Sequence, residues 1–246
     1  MEESNMPKGS KKHVLNLIDN KLFIDKMNDL LVDTNTFIEN KDSIYPKGSN
    51  QPNEKTLSTF LKDVWNDKKL GADFIKWWIE FGSRTPQWDI ISKCKIDGKE
   101  GILLVEAKAH KSEVTGDKGK KQIDENKKAE NHKHIKAAIE QANNSINENN
   151  TGINAKLSID TCYQLSNRVA SAWWLASNDI PVVLIYLGFL KDDDFNDKFT
   201  SKEEWQNCIE KHIERVGIQA IINRKINTKA KAFYFISKSI DLKELK

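Results

Sequence analysis

Apolar positions near the start of the chain recur at loosely helical spacing: Leu15, Ile18, Leu22, Met27, Leu30 and Leu31 predict one or two helices. "YPKGSNQPN", Tyr45 to Asn53, is dense in chain breakers and reads as a linker. A helix is expected from about Glu54, with Leu57, Phe60, Leu61 and Val64 along one side. "FIKWWIEF", Phe74 to Phe81, is aromatic and β-branched enough to predict a strand. Trp88 to Ile96 and Lys99 to Ala109 flank Asp97-Gly98, the dipeptide that favours a two-residue hairpin turn matched to strand twist. Lys111 to Lys133 lacks periodicity and reads as a loop or lid.

Helices are expected over residues 134–148 and over Cys162 to Ser177, the latter with Leu165, Val169, Ala172, Trp173 and Ala176 on its apolar side. "IPVVLIYLGFL", Ile180 to Leu190, has no polar alternation, as a strand covered on both faces requires. Ser201-Lys202-Glu203-Glu204 is a capping-box pattern that opens a helix to about Arg215, and Ala232 to Ser237 predicts a last strand. Helices interleaved with strands and one hairpin give an α/β fold. Residues 1–50 are expected as an N-terminal helical extension and 51–246 as the main domain.

The net charge of +3, from 39 basic and 36 acidic side chains, is too small by itself to argue for a nucleic-acid partner. Any such surface must come from local clustering. Residues 111–136 are Lys-rich, as a phosphate grip would be. Three scattered cysteines, Cys94, Cys162 and Cys208, form neither a disulfide framework nor a paired metal-ligand spacing. With no apolar signal core and no run long enough to span a bilayer, the reading is a cytoplasmic protein. Neither a phosphate-binding loop nor a dinucleotide fingerprint is present.

The unusual feature is the hairpin's second strand, where Ile102-Leu103-Leu104-Val105 runs directly into Glu106-Ala107-Lys108. Alternation places Ile102, Leu104, Glu106 and Lys108 on one face. If Asp97-Gly98 forms a two-residue turn, partner numbers sum to 195, and Asp89 falls opposite Glu106. Opposed like charges at about 5 Å and an effective dielectric of about 20 repel by roughly 3 kcal/mol. A divalent cation offsets that repulsion, and Mg²⁺ takes one or two carboxylates with waters and phosphate oxygens. Lys108 would then orient or activate an attacking water, or stabilise charge on a phosphorane.

On "QWD" (Gln87-Trp88-Asp89) and "LLVEAKAH" (Leu103 to His110) the sequence resembles the PD-(D/E)XK nuclease superfamily, the restriction-endonuclease-like fold. Within it the chain looks like a group of bacterial proteins with "YQ..NR" opening a later helix, here Tyr163-Gln164 and Asn167-Arg168. That core runs helix, three strands, helix, strand, with an acid on the second strand and Glu-x-Lys on the third. The resemblance covers roughly residues 54–240. It implies a Mg²⁺- or Mn²⁺-dependent deoxyribonuclease, with Asp89, Glu106 and the Ala107 carbonyl as metal ligands and Lys108 serving the water.

A further acid is expected on the first helix; Glu54 fits best and Glu80 competes. The Pro usual just before the acid is Pro86, three positions early. Gln164 neighbours both Asn167 and Arg168 on a helix surface. They read either as phosphate ligands or as a helix end bonded to loops. The alternative function is a catalytically silent nucleic-acid- or partner-binding protein on the same fold. A third reading is a structural salt bridge between Lys108 and the acids.

Overall fold

The structure, a computed structural model, describes residues 7–121 and 126–245. It begins with helices α1 (Gly9–Asp19) and α2 (Phe23–Leu31), then strands β1 (Thr36–Phe37) and β2 (Lys55–Thr56). Helices α3 (Leu57–Asp63) and α4 (Lys68–Trp78) follow, then β3 (Gln87–Trp88), β4 (Ile90–Ile96), β5 (Lys99–Lys108) and α5 (Lys111–Thr115). The second half holds α6 (Asn126–Asn149), α7 (Tyr163–Ser177), β6 (Val182–Leu190), α8 (Lys202–Glu214), β7 (Arg224–Asn227) and β8 (Ala232–Asp241). The class is α/β.

Among the described residues a six-stranded mixed sheet runs in the order β1-β4-β5-β6-β8-β7, and β2 and β3 form a separate two-stranded ribbon. Asp97 and Gly98 both have positive φ, 49° and 76°, the conformation of a type I′ turn. The hairpin register follows from that turn: Ile90 pairs with Val105 and Ile96 with Lys99. β5 and β6 pair in parallel, as do β6 and β8. Every residue of β6 is buried, as its unbroken apolar run predicts. Gly188 of β6 lies in register with Lys108, and a Cβ there would sit 2.4 Å from the Trp205 ring. The close approach of α8 therefore requires glycine.

Alternation along β5 divides the core in two. Ile102 and Leu104 face a cluster with α3, α4, α6 and α7, while Leu103, Val105 and Ala107 face one with Val14, Leu17, Phe23, Met27 and Leu31. The boundary expected near residue 50 thus coincides with no break in the core. The first two helices cover that second face of the sheet together with Ile38, Ile44, Leu242 and Leu245.

Phe74 to Phe81 is not a strand. Asp67 caps a helix there by accepting from the Leu70 N–H at 2.8 Å, and Gly71, Phe74 and Trp78 are its buried stripe. Their 3- and 4-residue spacing outweighs the β-preference of the individual aromatics. The expected lid at 111–133 contains α5 and the start of α6, with residues 122–125 outside the described set. α3 begins at Leu57, because the Thr56 hydroxyl caps it, and not at Glu54. α6 is longer than the helix expected over 134–148. No helix among the described residues is long and apolar enough to cross a membrane.

Candidate active site

The hairpin ladder ends at Ile90, one residue short of Asp89. There the chain leaves the main sheet, and Trp88 and Gln87 pair with Lys55 and Thr56 of β2. Asp89 is therefore the joint between two sheets. Continued by one residue, the first register sets it opposite Glu106 and the second sets it opposite Glu54. Glu54 is one of the charges acting on the Asp89 carboxyl. Glu80, the competing acid, is exposed and ion-paired to His134 at 3.4 Å. Glu54 lies three residues before α3 and is half-buried, with Lys11 3.6 Å away.

Asp89 Oδ2 accepts the Ala107 N–H at 2.7 Å, and Oδ1 accepts no hydrogen bond from any described residue. A strand residue's N–H and C=O point toward the same edge. The Ala107 carbonyl is therefore directed to the side where Asp89 stands. Burial and the Glu106 charge push the Asp89 pKa up to about 8, against an ordinary 3.8. Desolvation and a like charge both disfavour its ionised form.

Glu106 is compensated differently. It is 2% exposed, and its two oxygens are taken by two cations: Lys108 Nζ donates to Oε1 and Arg168 Nε to Oε2, each at 2.6 Å. Burial pushes its pKa up, but Arg168 and Lys108 more than reverse this, and the carboxyl lies below its ordinary value. Burial alone would lower the Lys108 pKa; Glu106 and Asp89 outweigh it, so the ammonium is held on more firmly than usual.

The α7 cluster is turned into this site. Lys108 Nζ also donates to Gln164 Oε1 at 2.7 Å, and Arg168 Nη1 donates to Asn167 Oδ1 at 3.0 Å. The Arg168 guanidinium lies 4.5 Å from the centre of the Trp88 ring, a cation–π contact inside the core. Asn167 and Arg168 are buried and engaged with the site's own side chains. The backbone of this helix end bonds to the loop after α5, where Asp117 accepts the Gln164 and Leu165 N–H groups, while the Gln164 and Arg168 side chains reach the strand residues Lys108 and Glu106.

No family model, no curated protein and no solved structure matches the chain. What the site can do is therefore argued from its chemistry. Asp89, Glu106, Glu54 and the Ala107 carbonyl are hard oxygen donors, the set that suits Mg²⁺ or Mn²⁺. A carboxyl kept from ionising by another is what a divalent cation would relieve.

Sequence reasoning missed a second group. Asp117, Cys162 and His212 lie within 4.8 Å of one another, counted by one donor atom each. Their positions are 45 and 50 residues apart, so no spacing motif announces them. The order Cys–His–Asp is that of a nucleophilic triad, but Cys162 is sealed from solvent and burial raises its thiol pKa to about 11. It is no nucleophile in this state.

Proposed function

We propose that the chain is a metal-dependent hydrolase of phosphodiester bonds, acting on DNA, with Asp89, Glu106 and Lys108 as its catalytic set. The observation that carries this reading is Asp89: a carboxyl at the joint of two sheets, in register with two further acids and lacking enough positive charge to ionise. Asp89, Glu106 and the Ala107 carbonyl would hold Mg²⁺ or Mn²⁺, with Glu54 beside them. A bound divalent cation would lower the pKa of its water and stabilise charge developing on the phosphate.

Lys108 keeps its proton, so its role is to orient the water and donate to the phosphate oxygens, with Gln164 aiming the ammonium. Arg168 fixes the Glu106 carboxylate from behind. Lys120 supports an anionic substrate: it sits over the Tyr163 ring at 4.8 Å, its pKa lowered by burial and by the Arg84 charge. Two cations that repel each other near a half-buried surface favour a polyanion.

The restriction-endonuclease-like fold is supported by element order. With β1, β4 and β5 as the three strands, α7 as the following helix and β6 as the next strand, the acid falls at the head of the second strand and Glu-x-Lys on the third. The first strand is then β1, and α3 and α4 are an insertion before the second.

A second reading, a catalytically silent binding protein, is favoured by Glu106, whose oxygens are both already paired to cations. One experiment separates the two. Purified protein is incubated with plasmid and with single-stranded DNA in Mg²⁺ or Mn²⁺. Cleavage that falls by about 100-fold or more in Asp89→Ala and Lys108→Ala supports the hydrolase. Metal-independent binding without cleavage, or cleavage unchanged in both variants, rules it out.

A further inference from the structure

The Asp117, Cys162 and His212 group belongs to no step of the proposed hydrolysis, and it is built like a metal site. The three side chains come from separate places: the segment after α5, the residue before α7, and α8. All are buried, at 9%, 0% and 4% exposure. His212 Nδ1 lies 3.8 Å from Cys162 Sγ, and His212 Nε2 lies 3.4 Å from Asp117 Oδ2. In a tetrahedral site with metal–nitrogen distances of about 2.0 Å and metal–sulfur distances of about 2.3 Å, ligand atoms stand roughly 3.3–3.6 Å apart. Those two contacts use opposite ring nitrogens. Counted to one donor atom per residue, the three lie within 4.8 Å of one another. Since coordination takes one ring nitrogen, binding requires the imidazole to turn and the group to tighten by about 1 Å.

A second observation points the same way. The Tyr186 hydroxyl is buried, 1% exposed, and has no hydrogen-bond partner among the described residues. Its ring is 6.5 Å from that of His212, and the charges that act on it are Glu106 first, then Asp117, Arg168 and Cys162, so the hydroxyl stands between the two clusters. A buried hydroxyl left without a partner is rare in a native protein and marks an unfilled position.

We propose that Asp117, Cys162 and His212 bind a zinc-like divalent cation, with the Tyr186 hydroxyl facing the fourth position. A thiolate with an imidazole selects zinc over magnesium or calcium. As the metal–sulfur bond forms, the Cys162 S–H bond breaks and its proton passes to solvent. The role is structural, because the site is closed to substrate. Asp117 already accepts the Gln164 and Leu165 backbone N–H groups at 2.9 and 3.0 Å, so the ion would pin the N-terminus of α7. The inference goes beyond the hydrolase reading and needs none of its residues.

The test uses the full chain, stripped with a chelator and titrated with Co²⁺ and then Zn²⁺. The expected result is a thiolate-to-cobalt charge-transfer band at equal molar ratio, its displacement by Zn²⁺, and a higher thermal midpoint with Zn²⁺. The band is lost in Cys162→Ser and kept in Asp89→Asn, which leaves the Glu106 ion pairs to Lys108 and Arg168 in place. A chain carrying Cys94→Ser and Cys208→Ser keeps Cys162 as its sole thiol and leaves the cluster untouched, so it carries the test even if Cys162→Ser does not fold. Absence of the band in that folded double variant, or its survival in Cys162→Ser, overturns the proposal.

Discussion

Asp89 is the residue on which the account turns, because its ionisation is opposed on two sides. The folded chain holds its proton up to a pH of about 8, whereas an ordinary aspartate releases it near 3.8. Between those values the folded state binds more protons than the unfolded state, so this group makes stability fall as pH rises. Asp89→Asn removes the effect. In metal-free buffer the variant is expected to be more stable than the natural chain at pH 8 by about 1–3 kcal/mol, the usual cost of an uncompensated buried polar group, with no difference by pH 4. Denaturant titrations at the two pH values measure it, and Mn²⁺ should narrow the gap by stabilising only the natural chain. A purely structural salt bridge from Asp89 to Lys108 gives the opposite sign. This juxtaposition was legible in the sequence, because Asp97-Gly98 fixes the turn and the turn fixes every pair after it. Glu54 was named only through the resemblance; its register with Asp89 was not legible, since it depends on a ribbon of two-residue strands with no periodicity to read.

At the scale of elements, α7 holds the strand acids in place. Arg168→Ala would strip Glu106 of one of its two cations and leave a buried carboxylate short of charge. The expected cost is about 3–5 kcal/mol, read from a denaturation midpoint. The helix itself is plain in its apolar stripe, and Gln164 and Arg168 were visible as neighbours on its surface. Their targets were not, because a helix pattern does not say which strand its polar face meets. α4 was misread for a related reason: aromatic and β-branched residues suggest a strand, yet the Asp67 cap and the Gly71-Phe74-Trp78 spacing decide for a helix. β7, with a single buried residue among exposed ones, is a charged edge strand whose pattern is too short to stand out.

Over the whole molecule, the sheet is covered on both faces, and the N-terminal helices are part of that cover. A chain starting at residue 51 would expose Ile90, Leu103, Val105, Val183 and Ile185. It is expected to unfold without cooperativity or to aggregate, which calorimetry and light scattering would report. The expectation of an appendage arose because the linker at 45–53 is rich in breakers, but a loop's composition says nothing of what its two ends pack against. Within this frame the hairpin mouth collects three acids and two buried cations, and the central claim is that the acids share an ion. A crystal grown in Mn²⁺, with its anomalous scattering mapped, tests that directly. The account predicts a peak between Asp89 and Glu106, within coordination distance of the Ala107 carbonyl. A map with no peak there, and Glu106 still paired only to Lys108 and Arg168, would contradict it.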